Sequence, residues 1–73
     1  MTTLDLKGLQ CPLPVLRTNK ALRQMPAGAE VRVLATDPAA PKDFESFCRM
    51  AGHVFVASEE VDGVFSIVIR KAD

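Results

Sequence analysis

HVFVASEEVDGVFSIVIRK, residues 53–71, is the stretch that decides the fold. Residues 53–60 and 64–71 are rich in β-branched and aromatic side chains, and Val61-Asp62-Gly63 lies between them. Asp-Gly between two such runs is a strong hairpin signal, because both residues tolerate the positive φ that a tight connection requires. The chain therefore closes on two antiparallel strands, and whatever precedes them has to supply the rest of a sheet and its cover.

Working back from the hairpin, Gly52 stops a helix that begins near Pro41, where Phe44, Phe47, Cys48 and Ala51 recur at i, i+3, i+4 and i+7. Asp37-Pro38 opens the turn before it. Residues 29–36, AEVRVLAT, read as a buried strand. Pro26-Ala27-Gly28 ends a first helix over residues 12–25, whose stripe is Val15, Thr18, Leu22 and Met25. Thr2 to Leu6 alternates as a short strand, ended by Lys7-Gly8. The order is βαβαββ. Helical crossovers make the first three strands parallel, the hairpin makes the fourth antiparallel, and single-faced helices cover one side of the sheet. The expected fold is an α+β two-layer sandwich, with two helices packed on one face of a four-stranded mixed sheet.

Seventy-three residues make one domain, 1–73. A chain of that size buries only about 60% of its unfolded surface, too little to wall off a deep substrate cavity, so its chemistry is expected at the surface. Nine basic and nine acidic residues give zero formal charge, and there is no Trp or Tyr, which argues against nucleic-acid binding by phosphate neutralisation or base stacking. With 48% apolar residues but no run of about 18, no membrane span is expected. Met1-Thr2-Thr3-Leu4-Asp5 has neither the basic start nor the apolar stretch of a secretory signal, so the expected location is cytoplasmic.

The chemistry concentrates in Cys11-Pro12-Leu13-Pro14, at the passage from first strand to first helix. Proline suits the first helical turn, where its missing N–H would have no partner. Cys11 is thereby placed at the cap, where free amides and the helix dipole favour an anionic sulfur and are expected to lower the thiol pKa. Cys48 sits within an apolar stripe and reads as a core residue. Cys11, Cys48 and His53 lack zinc-site spacing, so no metal is expected, and no cofactor is implied. His53 opens the third strand, at the edge opposite Cys11, and reads as structural. Asp37 follows the second strand on the Cys11 edge, within reach of hydrogen bonding near the thiol, although its position before Pro38 reads first as an ordinary turn. Leu13 and Leu16 fall outside the apolar stripe, close in helical angle to Lys20 and Arg23, and make a candidate docking patch for an acidic partner. An ordinary solvated helix face is the competing reading.

LDLKGLQCPLPVLR (4–17), ATDPAAPKDFESFCRMAGH (35–53) and IVIRK (67–71) together resemble the small TusA/SirA-like sulfur-carrier proteins almost end to end. The resemblance implies a sandwich like the C-terminal domain of translation initiation factor three. It implies a persulfide on Cys11, with Pro12 and Pro14 completing the motif, and no cofactor. It also implies a sulfurtransferase acting as a relay, loaded by a cysteine desulfurase or a rhodanese-type enzyme and emptied to an acceptor protein. Destinations would be tRNA 2-thiolation, molybdenum-cofactor biosynthesis or sulfur oxidation. Leu13 stands where tRNA-thiolation members commonly carry an acidic residue. A regulatory protein-binding module using the same surface without sulfur transfer is the alternative; a thiol–disulfide oxidoreductase is disfavoured by the lack of C-x-x-C.

Overall fold

The computed structural model describes residues 1–72. In chain order the elements are β1 (Thr2–Asp5), α1 (Leu13–Arg23), β2 (Glu30–Ala35), α2 (Ala40–Ala51), β3 (Val54–Val61) and β4 (Val64–Arg70). The strands form one sheet in the order β1-β2-β4-β3. β1 pairs parallel with β2, and β4 runs antiparallel to both β2 and β3. The first three strands thus point the same way, but β4 separates the second from the third. The composition of β4 explains its place: Ile67, Val68 and Ile69 are all buried, as in a strand flanked by a neighbour at each edge, whereas β3 carries Ser58, Glu59 and Glu60 and takes the edge.

Element ends differ from the sequence expectation in physically simple ways. The first helix stops at Arg23 because the amides of Gln24 and Met25 bond the carbonyls of Ala21 and Leu22, tightening the last turn to an i−3 pattern before Pro26. The hairpin loop holds two residues, since Val61 pairs with Val64 across it. Asp62 at φ 51° and Gly63 at φ 80° both adopt left-handed backbone, the signature of a type I′ turn, which matches the twist of the strands it joins. At the end of α2, Gly52 is left-handed at φ 82° and its amide caps the Cys48 carbonyl at 2.9 Å.

The core is the layer between the helices and one face of the sheet. Leu22 from α1, and Ala40, Phe44 and Cys48 from α2, meet Val31, Val33, Ala35, Ile67 and Ile69. The α2 stripe therefore starts one turn earlier than its sequence pattern indicates: Phe47 is half-buried at its flank and Ala51 is exposed. On α1, Pro14, Thr18 and Leu22 are buried, with Val15 and Met25 packed at the margin. Both βα connections leave the sheet at the same edge, which brings the starts of α1 and α2 together there.

Candidate functional site

Each helix start follows the end of a parallel strand, and the two connecting loops are tied to one another. The Gly8 amide donates to Thr36 Oγ1 at 2.9 Å. The Cys11 amide donates to Asp37 Oδ2 at 2.8 Å, while the other oxygen of Asp37 accepts from the Ala39 amide at 3.3 Å. Asp37 is thus both the turn residue of its own loop and the clamp on Cys11, uniting two roles that the sequence analysis set against each other. A Leu13 amide to Gln10 carbonyl bond of 2.9 Å closes the turn that carries Cys11 into the helix. The helix proper begins after Pro12, so Cys11 stands one residue before the cap, with Pro12 joined to it by a cis peptide bond and Pro14 buried in the first turn.

Cys11 is a free cysteine and its thiol is exposed. It occupies a ridge between two depressions. On one side is a groove of about 460 Å³ between the helices, walled by Pro12, Val15, Asp43, Phe47 and Met50. On the other is a more polar hollow of about 370 Å³ formed by the two loops, with Gln10, Thr36 and Asp37. The Cys11 sulfur and one carboxylate oxygen each of Asp37 and Asp43 lie within 4.8 Å of one another.

This arrangement corrects one expectation. The thiol pKa is raised above the ordinary cysteine value, chiefly because the Asp43 carboxylate accepts the thiol's hydrogen bond, then through desolvation and the negative charges of Asp43 and Asp37. The favourable effect of the helix start is outweighed because α1 begins beyond Cys11, while both carboxylates face the sulfur directly. Asp43 escaped the sequence analysis, although the same-edge argument that placed Asp37 near Cys11 applies to the first turn of α2. Cys48 is 2% exposed and burial pushes its thiol up to about 11. His53 lies outside this cluster: Nδ1 accepts the Ala72 amide at 3.0 Å and the ring packs 5.6 Å from Phe47. Among the described residues, Cys11, Asp37 and Asp43 are the one group of three potential metal ligands, and neither Cys48 nor His53 joins it. Leu13 and Leu16 are 44% and 56% exposed, and Lys20 is exposed on the same outward side of α1.

Fold and site together define a small α+β domain whose exposed thiol stands open on a pinned loop. Comparison with known proteins makes this specific. The family model described as Sulfurtransferase TusA matches residues 2–71. A Neisseria meningitidis serogroup A relative, provisionally described as a sulfur carrier protein, is 57% identical over 68 residues, covering 93% of this chain and 92% of its own. Sulfur carrier protein TusA of Allochromatium vinosum is 44% identical over 69 residues, covering 94% and 91%. The crystal structure of a SirA-like protein from Desulfitobacterium hafniense superposes over the whole of both chains, with a TM-score of 0.85 at 30% identity. The chain belongs to the TusA family of sulfur carriers.

Proposed function

We propose that this protein carries sulfane sulfur as a persulfide on Cys11, relaying it from a cysteine desulfurase or rhodanese-type donor to an acceptor protein in tRNA 2-thiolation, molybdenum-cofactor synthesis or sulfur oxidation. The observation that carries the reading is the contrast between the two thiols: Cys11 is open on both sides, and Cys48 is sealed in the core. In the loading step the Cys11 thiolate attacks the terminal sulfur of a donor persulfide, R–S–SH. An S–S bond forms to Cys11 as the donor's S–S bond breaks, and the donor thiolate departs to be protonated. Cys11–SH and R–S–SH thus become Cys11–S–SH and R–SH, and an acceptor thiolate repeats the exchange. No redox partner or cofactor enters.

Pro12 and Pro14 hold the turn that presents the sulfur, and Leu13, Leu16 and Lys20 form the outward face of α1 on which a partner of acidic, partly apolar surface docks. Two unpaired thiols suit a reducing cytosol, where this reading locates the relay. Among the described residues, no helix is long and apolar enough to cross a membrane. Incubation with a desulfurase and radiolabelled cysteine should place reductant-labile label on the folded chain. Cys11→Ser should abolish it and Cys48→Ala should retain it; label surviving Cys11→Ser would overturn the assignment.

A further inference from the structure

The groove beside Cys11 joins an apolar floor to a carboxylate, Asp43, that forms no ion pair among the described residues. Phe47 is half-buried there and Met50 is 88% exposed, an unusual degree of solvent contact for a thioether next to a reactive sulfur. The ion pairs of the described residues are Asp5 with Lys7, Glu45 with Arg49 and Glu30 with Arg70. Neither Asp37 nor Asp43 is in an ion pair among these residues. Asp37 is engaged by the amides of Cys11 and Ala39, whereas Asp43 faces the groove and the thiol.

We infer that the sulfur-exchanging segment of a partner protein enters this groove with a lysine or arginine and an apolar side chain beside its reactive sulfur, the cation being received by Asp43 with Asp37 behind it. The inference rests on the carrier reading of Cys11 and names the chemistry of what Cys11 meets. An apolar floor with a negative rim complements a segment of those two characters. The same carboxylates hold the free thiol protonated near neutral pH, so an arriving cation offsets them and releases the nucleophile where it is wanted. In unloading, an acceptor thiolate attacks the terminal sulfur of Cys11–S–SH, a new S–S bond forms as the bond to Cys11 breaks, and the cation that the acceptor brings offsets the carboxylates around the departing Cys11 thiolate. The outward face of α1 is positive where the groove is negative, and a partner reading both is fixed in register.

The test compares the rates at which Cys11 of the full chain reacts with a cationic, trimethylammonioethyl, and an anionic, sulfonatoethyl, methanethiosulfonate. Each rate is divided by that of N-acetylcysteinamide, and modification is assigned by peptide mapping. Thiolate fraction cancels in this ratio. Two carboxylates roughly 6 Å from the reagent charge should favour the cation about ten-fold in 0.1 M salt, from Coulomb's law in water damped over a Debye length of about 10 Å. Asp43→Asn should bring the ratio down to about three-fold. Two tripeptide amides activated as pyridyl disulfides, leucine–lysine–cysteine and leucine–glutamate–cysteine, should show the same order. A normalised ratio near one, or one that Asp43→Asn leaves unchanged, overturns the inference. Labelling by a desulfurase in the same preparation reports the carrier reading separately: label on Cys11 together with a ratio of one sinks only the cation receptor, and label absent from Cys11 sinks the carrier reading whatever the ratio.

Discussion

Iodoacetamide added to the folded protein at pH 7 poses one question to two thiols of the same chain. Cys48 has two routes to reaction. In the closed state its thiol, pushed up to about 11, is ionised in only about one molecule in ten thousand at pH 7, and the packed core blocks the reagent besides. In an opened state the thiol regains ordinary behaviour, but opening a domain at the low end of stability, about 5 kcal/mol, populates that state in roughly one molecule in five thousand. The routes are alternatives, so their factors do not multiply, and Cys48 should react about a thousand-fold or more slowly than a free thiol. Cys11 is slowed only by the carboxylates that keep it protonated, and should outpace Cys48 by at least about a hundred-fold. Time courses between pH 6 and 10, read by mass spectrometry of the two cysteine peptides, measure both. The Cys11 profile should have its midpoint above that of a free thiol, about 8.5, because a raised pKa shifts ionisation upward. Rates within ten-fold of each other would refute the placement of Cys48. A Cys11 midpoint below the free thiol would refute the facing of Asp43 and Asp37 onto the sulfur.

Thr18 is fully buried and its Oγ1 has no hydrogen-bond partner, so Thr18→Val, which exchanges the hydroxyl for a methyl, should stabilise the fold by about 1 kcal/mol and raise Tm by about 4–8 °C; circular dichroism on heating checks it, and a lower Tm would mean that the hydroxyl is bonded. The raised pKa of Cys48 makes the native state hold its proton where the unfolded chain loses it, so stability is fully present below about pH 8.5 and declines as pH rises toward about 11, by about 2–3 kcal/mol. Denaturant midpoints of wild type and Cys48→Ala across that range should converge if this holds. Asp37→Ala removes the acceptor for two loop amides and should speed hydrogen exchange at the Cys11 amide and slow sulfur loading, with a stability loss of about 1 kcal/mol; unchanged exchange at Cys11 would show that Asp37 does not clamp the loop.

Local chemistry was enough to write much of this molecule. Turn residues at Asp62-Gly63, helix stops at Pro26 and Gly52, and apolar spacing along both helices give the element order, because each signal acts within a few residues of itself. The same spacing separates the exposed cysteine from the buried one, since burial follows the helix face. What the tertiary structure decided are the relations between segments distant in sequence. β4 lies between β2 and β3 because a strand apolar on both faces is most stable with a neighbour on each side, a choice made among all the strands at once. Asp37 and Asp43 meet Cys11 from two other segments of the chain, and their charges reverse the direction in which the helix start alone would move the thiol. Electrostatic energy depends on separation through space, and only the folded chain fixes that distance.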